Sequence, residues 1–401
     1  MVYFDCAATT KPTEKVIQDI TEGMRGDWFN PSSVSEESRK VKLKIEHARQ
    51  QVADFINADS DEIIFTSGGS ESNNLAIRGY FDNLDNKRCG LYCSEGEHPS
   101  IYNLIKKYKE MYYYPCILPL QKNGQLNLTE LKKQLESLYA PSIYYNNVTS
   151  SPLVCISYVN NEIGCVNPIQ EISKIIHRYN GILLVDAVQA VGYRNIDVKS
   201  MGIDMLSASF HKFGGVRGCG FLYIKKNIQD KINPLIIGGH QENNLRAGTE
   251  ASYLITAMGN RLEELKQTQK ERKELIEHLR LSIEEKLFND DDLSKDMWIN
   301  GESMYSHSHI ISLTIKGIPA QQLITLMNLD GVIISAGSAC SSGEEKPSRI
   351  LKAIDLSDED AKSTIRISFN EFTTDNDVNI LIESLKKNVL ILRELNSEDK
   401  V

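Results

Sequence analysis

Three short segments of this 401-residue chain carry the side chains best suited to chemistry. Thr66-Ser67-Gly68-Gly69-Ser70-Glu71-Ser72 joins the apolar run Ile63-Ile64-Phe65 to a helical pattern. A glycine-containing turn at a helix start exposes backbone N–H groups and hydroxyls to an anion, most naturally a phosphate; the same composition also makes an ordinary turn. The spacing matches neither GxGxxG nor the GxxxxGK of a P-loop, which argues against a dinucleotide or a nucleoside triphosphate. Asp186 follows Ile182-Leu183-Leu184-Val185, at the carboxyl end of a buried-strand pattern, where open α/β sheets put their ligands. It either caps the next helical turn or pairs with a buried cationic nitrogen. Ser209-Phe210-His211-Lys212 again ends a strand pattern and leads into Gly214-Gly215-Val216-Arg217-Gly218-Cys219-Gly220. Lys212 is either a solvated loop residue or, desolvated beside other cations, an amine whose lowered pKa lets it attack a carbonyl.

Such residues need a scaffold that gathers strand ends. Val16, Ile20 and Met24 recur with helical spacing, and Val41, Ile45, Ala48, Val52 and Phe55 trace one helical face. The stretches 153–159, 182–185, 205–209 and 220–224 read as strands buried on both faces. Strands alternating with helices predict an α/β fold around a mostly parallel sheet. A long charged helix is expected from about Ala257 to Phe288, with Ile276, Leu279, Ile283 and Leu287 as its apolar stripe. Beyond the acidic stretch 289–296, Ile311, Leu313 and Ile315 alternate like a half-exposed strand. A helix follows near Gln321 to Met327, and another strand covers Val332 to Ser335. The expected division is a large domain over 15–256 and a smaller α+β domain formed by 1–14 with 257–401. The polar stretch from Pro141 to Pro152 reads as a surface loop.

Composition narrows the function classes. The chain is 41% hydrophobic and 25% charged, as ordinary soluble globular proteins are. Its net charge of −9, without a basic run, makes nucleic acid an unexpected main partner. The opening MVYFDCAATT lacks the charged head and apolar stretch of a signal peptide. No apolar run approaches the roughly eighteen residues of a membrane span. A cytoplasmic protein with no membrane partner is expected. The 8 cysteines are scattered, so reduced thiols are expected rather than a disulfide framework. There is no CxxC pair, and Cys89 and Cys93 lack a matching second pair, so no metal centre is expected.

A phosphate turn, a strand-end carboxylate and a strand-end lysine, in that chain order, are the parts a pyridoxal phosphate (PLP) enzyme needs. The carboxylate keeps the pyridine nitrogen protonated, so that the ring acts as an electron sink. The chain resembles the cysteine desulfurases of the NifS/IscS type, in the class-V aminotransferase-like branch of fold-type I PLP enzymes. The resemblance runs from Tyr3-Phe4-Asp5 to Phe372-Thr373-Thr374. It passes in the family's order through DCAATT, FTSGGSESNNLAIRG, GEHPSI, VNNEIG, VDAVQAVG, SFHKFGG, RAGTE, SAGSACSSG and IRISFNEFTT. It implies a large, mostly parallel-sheet α/β/α domain and a smaller α+β domain carrying a catalytic cysteine, paired as a homodimer with the active site near the subunit interface.

Residue by residue, the resemblance makes Lys212 the Schiff-base lysine and Asp186 the partner of the ring nitrogen. His98 would stack on the ring and serve as an acid/base, and Gln189 and Asn161 would bond the phenolic oxygen and its surroundings. Gly69, Ser70, Ser209 and His211 would hold the phosphate, with Thr249 reaching it from the other subunit. Arg366 and Asn30 would clamp the carboxylate of an L-cysteine substrate; a bidentate arginine suits that task. Cys340 would take the sulfur, leaving L-alanine, and hand it to a sulfur-acceptor or iron–sulfur scaffold protein for cluster assembly or tRNA thiolation.

The surroundings of Cys340, Ser335-Ala336-Gly337-Ser338-Ala339-Cys340-Ser341-Ser342-Gly343, are small and polar. A thiol of pKa near 8.5 is only a few per cent thiolate near neutral pH, so this one must meet a base or a cation, for which His98 and the cofactor site are candidates. A buried structural cysteine is the other reading. Several positions depart from the family pattern: Ser35 stands for a usual His and Ser38 for Gly, Phe210 for a small residue, and Val216 for Pro. His240 replaces Gly, Asn243 replaces Arg, and Asn370-Glu371 replace Gly-Arg, reversing a charge. These bear on partners and substrate affinity rather than reaction class. Two alternatives follow: a lyase acting on selenocysteine or another cysteine derivative, and a weakly active sulfur-relay scaffold.

Overall fold

The computed structural model describes residues 1–84, 89–109, 114–139, 150–301, 308–337 and 347–398. Strands β1 (Val2–Tyr3), β2 (Ile63–Thr66), β3 (Gly90–Ser94), β4 (Tyr114–Leu118), β5 (Leu153–Ser157), β6 (Ile182–Asp186), β7 (Met205–Ser209) and β8 (Gly220–Ile224) come first. The remainder are β9 (Met297–Asn300), β10 (Ile310–Ile315), β11 (Val332–Ile333), β12 (Ser335–Ala336) and β13 (Thr364–Ser368). The main sheet has the order β2-β8-β7-β6-β5-β3-β4. All its neighbours are parallel except at β8, which is antiparallel to both β7 and β2. The expected fold class is therefore the observed one. Register sets the working edge: Ser157 lies beside Asp186, and Asp186 beside Ser207, so the carboxyl ends of β5, β6 and β7 meet on one side.

Helices cover both faces of this sheet. On one, α1 (Glu14–Gly26), α2 (Glu36–Ile56) and the helix Ser252–Gln267 contribute Val16, Val41, Ile45, Val52, Met258 and Leu262 to the core. On the other, α3 (Gly69–Asp82) and α4 (Pro99–Lys109) contribute Leu75, Ile77, Phe81, Ile101 and Ile105. A second core gathers β9, β10 and β13 with the helices Gln269–Phe288 and Asp375–Glu398.

Three local expectations change. The single helix expected from Ala257 to Phe288 is two helices meeting at Thr268, which has φ −105° and ψ 16°. Ala257, Met258, Leu262 and Leu265 face the first core, whereas Ile276, Leu279, Ile283 and Leu287 face the second, so one straight stripe cannot serve both. The packing thus changes core at Thr268. The strand expected to be half-exposed, β10, is buried along its whole length. Its polar alternates are satisfied inside: Asn300 donates to Ser312 Oγ at 3.2 Å and to Thr314 Oγ1 at 2.8 Å, and Thr314 bonds Thr364 at 2.8 Å. The strand expected over Val332 to Ser335 is split, β11 pairing with β1 and β12 with β13. Positions 141–149 of the expected surface loop lie outside the described residues.

Several departures from the family pattern are explained by packing. Ser35 caps α2, accepting the Ser38 N–H at 3.2 Å while its hydroxyl donates to Ser38 Oγ at 2.9 Å. Phe210 is fully buried, its ring filling the space where a Cβ on Gly215 would come within 2.0 Å. Asn243 takes left-handed backbone, φ 54°, a conformation asparagine tolerates. Glu371 is bound by the buried Arg261 and by Arg272.

Candidate active site

The strand-end edge opens into a cavity of about 410 Å³. Asp186, at the end of β6, lines it and is 6% exposed. Its Oδ2 accepts from Asn73 Nδ2 at 2.9 Å and its Oδ1 from the Val188 N–H at 3.0 Å. The first reading, a cap for the following turn, is therefore realised by one oxygen while the carboxylate still faces the cavity. Asn73 also donates to Ser100 Oγ at 3.0 Å, and Ser100 Oγ lies 2.8 Å from His98 Nδ1. The Ser100 N–H donates to the same nitrogen at 3.2 Å. With Nδ1 accepting, the proton of a neutral imidazole resides on Nε2. Burial pulls the His98 pKa down; Asp186 opposes this, and Lys212 and Arg349 add to it. Asp186, Asn73, Ser100 and His98 thus form one connected chain along the cavity wall.

Lys212 follows β7 in a single turn of 3-10 helix. Its Nζ donates to the carbonyls of Ala7 at 2.6 Å and Ala8 at 2.7 Å. Burial, reinforced by the Arg366 charge against Asp5 and Asp186, pushes its pKa down to about 8. This is the desolvated amine, not the solvated loop residue. The neighbouring His211 bonds Thr9 Oγ1 at 3.1 Å, and burial with Lys212 and Arg217 pulls it down to about 4, so it is neutral near pH 7.

Opposite, α3 begins at Gly69 and Ser70, both lining the cavity. Gly68, ahead of them, has φ +145° and no side chain with which to cap the helix, so the first N–H groups of α3 are left for an anion. The tight fit explains the glycines: a Cβ on Gly69 would lie 2.5 Å from Val188 Cγ2, and one on Gly68 would lie 3.2 Å from Ser209 Oγ. From the smaller core, Arg366 on β13 reaches in, 4% exposed. It donates to the Asn161 carbonyl and to Asp5 Oδ1, each at 2.8 Å, and its buried Nε has no partner among the described residues.

The structure therefore brings Gly69, Ser70, His98, Asn161, Asp186, Gln189, Ser209, His211, Lys212 and Arg366 around one cavity. Asn30 and Thr249 are not brought there within the chain. Both are exposed, and Asn30 Oδ1 is occupied by the Ser32 N–H at 2.9 Å. Cys340 lies outside the described residues. Sequence reasoning missed Asn73, Ser100, Asp5 and the Ala7 and Ala8 carbonyls. DCAATT and SESNN were visible as motifs, but a backbone carbonyl or a bridging amide leaves no residue-type signal of its role.

Next to His98 in the chain, Glu97 is fully buried. Its Oε1 accepts from Ser94 Oγ at 2.6 Å, its Oε2 has no partner among the described residues, and burial pushes its carboxyl up to about 8. Burial likewise raises Glu162 to about 7, with Ser348, Arg366 and Arg349 opposing.

The family model "Aminotransferase class-V" matches residues 2–381. The chain is 35% identical over 399 residues to a cysteine desulfurase IscS of Dictyoglomus turgidum, covering 98% of this chain and 96% of that protein. Among solved structures it is similar to a NifS-like protein from Rickettsia africae, with TM-score 0.84, 30% identity, and coverage of 97% of this chain and 99% of the other. It is also similar to SspA in complex with cysteine, with TM-score 0.76, 29% identity, and coverage of 93% and 100%.

Proposed function

This chain belongs to the class-V aminotransferase family, and from that premise we propose that it is a PLP-dependent cysteine desulfurase, converting L-cysteine to L-alanine and leaving the sulfur as a persulfide on Cys340. The observation that carries the reading is the meeting of three groups in one cavity: a desolvated Lys212 amine, the Asp186 carboxylate and the open start of α3.

The residues present fit PLP. Asp186 suits a protonated ring nitrogen. Gly69 and Ser70, with Ser209 and His211, suit a phosphate, and Lys212 suits the covalent link. Bound there, PLP supplies the electron sink that loosens the Cα–H and Cβ–Sγ bonds of the substrate. Arg366 takes the substrate carboxylate, its unpartnered Nε supplying hydrogen-bonding capacity beyond its contact with Asp5. Lys212, lowered to about 8, has an appreciable neutral fraction near pH 7–8 and removes the Cα proton at Nζ. Asn73 and Val188 keep Asp186 oriented, and Ser100 keeps His98 in the tautomer with Nε2–H.

Cys340 thiolate then attacks the substrate Sγ: an S–S bond forms, and Cβ–Sγ breaks with its electron pair left on Cβ. Cβ takes up a proton, and the proton that Lys212 removed is returned to Cα to give alanine. The described cysteines support this assignment. Cys6, Cys89, Cys93, Cys116, Cys155, Cys165 and Cys219 all have thiols raised by burial, Cys89, Cys165 and Cys219 to about 12. None of these is poised as a thiolate. All seven are free, which agrees with a reducing, cytoplasmic setting.

A homodimer belongs to the same reading. Asn30 and Thr249 would then serve the partner's cavity. Trp28, Val34 and Ile237 are 70%, 86% and 85% exposed in the single chain, and Ser32 and His240 line a common surface cleft near them. The persulfide would pass to a sulfur-acceptor or iron–sulfur scaffold protein. The scaffold alternative rests on the charge reversal at Glu371 and on the altered GGHQENN segment; Glu371 is engaged by Arg261 and Arg272 and does not line the cavity. The test is reconstitution with PLP followed by alanine assay from L-cysteine and from L-selenocysteine. Turnover of L-cysteine to alanine is expected, and turnover of selenocysteine alone would overturn the reading.

A further inference from the structure

Gln189 carries an amide with both ends engaged. Its oxygen lies 3.3 Å from His309 Nε2, and one of its N–H groups donates to the Ala7 carbonyl at 2.8 Å. That carbonyl also receives Lys212 Nζ at 2.6 Å. An amide offers one acceptor oxygen and two N–H donors. With the oxygen held and one N–H spent, the second N–H is what Gln189 can present to the cavity it lines.

His309 enforces this choice. It is 1% exposed, immediately before β10, and its ring lies on Tyr193 with centroids 3.5 Å apart and planes 7° from parallel. Burial first, then the charges of Arg194, Arg366, Lys212 and Arg272, hold its pKa well below the ordinary value. A neutral imidazole has a single N–H. Among the described residues Nδ1 has no partner, whereas Nε2 faces the Gln189 oxygen, so the proton belongs on Nε2. A flipped amide would set two donors against each other in a buried site and leave the Ala7 carbonyl without that bond.

We propose that His309 is a positioning residue that locks the Gln189 amide with an N–H turned to the cavity, so that an ionised ring oxygen of PLP meets a donor there. The PLP part rests on the function proposed above; the His309–Gln189 contact does not. In the cofactor-free protein, His309→Phe keeps a flat ring on Tyr193 and removes the donor. With Gln189→Leu and the double variant it forms a cycle read by urea unfolding. Non-additive losses are expected; additive ones overturn the contact. In the PLP-loaded protein, His309→Phe should weaken PLP binding roughly three- to tenfold and shift the pH titration of its absorbance. That shift should disappear in the Gln189→Leu background. His309→Gln, which restores a donor, should bring the titration back towards wild type. A titration unchanged in His309→Phe overturns the proposal even if stability falls. Wild-type protein that takes up no PLP sinks the cofactor reading instead, and the unfolding cycle then decides alone whether His309 holds Gln189.

Discussion

Two buried arginines, Arg49 and Arg366, are 8% and 4% exposed, yet they do different work. On α2, every nitrogen of Arg49 is used. Nε meets Glu46 at 3.2 Å, Nη1 meets Glu242 at 2.7 Å and the Ile63 carbonyl at 2.8 Å, and Nη2 meets Glu242 at 2.9 Å. Glu242 also accepts the Phe65 N–H at 2.8 Å, so the pair ties α2 to the edge strand β2. Among the described residues, Arg366 has one contact to a carbonyl, one to a single oxygen of Asp5, and a buried Nε with nothing to bind. A saturated buried ion pair is scaffold; an unsaturated one beside a cavity is capacity held for a ligand.

That contrast can be broken in four places. The largest effect belongs to Lys212→Ala, which removes the only lysine that lines the cavity among the described residues. Turnover should fall by several orders of magnitude, and borohydride should no longer fix PLP to the protein; a reducible bond that survives would mean another lysine carries it. Next is Arg366→Gln, expected to lower kcat/KM for L-cysteine by roughly a hundredfold, chiefly through KM, with little change in Tm. Arg49→Met should do the reverse, costing about 3–5 kcal/mol of stability by leaving Glu242 buried and unpaired. Its kcat per folded molecule should stay near wild type, and Arg49→Met with Glu242→Leu should recover part of the loss. A fall in kcat/KM for Arg49→Met equal to that of Arg366→Gln would erase the distinction.

The smallest effect concerns pH. Burial lifts Glu97 from 4.5 to about 8, so the folded state keeps a proton that the unfolded chain releases between those values. Its contribution to stability is full below about pH 4.5 and is lost as pH rises through about 8. Lys212, lowered from 10.5 to about 8, and His211, lowered from 6.5 to about 4, act in the opposite sense. The readout is therefore a difference: between pH 5 and pH 8, roughly, Tm should fall less, or rise more, in Glu97→Gln than in the wild type. Parallel Tm curves for the two proteins would mean that Glu97 is ionised throughout.

Asp186, Lys212 and the Gly69-Ser70 turn were legible because each combines a reactive or anion-binding group with a strand end, and the parallel register then brings those ends together. Arg366 and Gln189 were legible only through the family's motifs. The Ala7 and Ala8 carbonyls that hold Lys212 were not legible, since a carbonyl is common to every residue and only long-range folding brings it there. Thr268 breaks the long helix because its two halves bury different cores, which a helical stripe read locally cannot express. The alternation in β10 suggested solvent on one face, yet its serine and threonine pair with Asn300 and Thr364 inside. Polar does not mean exposed where a partner strand supplies the hydrogen bonds.

The central claim is that the cavity prepares L-cysteine and that Cys340 takes its sulfur. One preparation of PLP-loaded Cys340→Ser tests it, with absorbance recorded on adding L-cysteine and alanine and sulfide then assayed, beside wild type whose Cys340 peptide is weighed for an added sulfur. The account predicts the same initial spectral change in both proteins. It predicts alanine and a persulfide on Cys340 in the wild type, and neither alanine nor sulfide above background from the serine variant. Full alanine and sulfide release from Cys340→Ser would contradict the account, because sulfur would then leave the substrate without passing through Cys340.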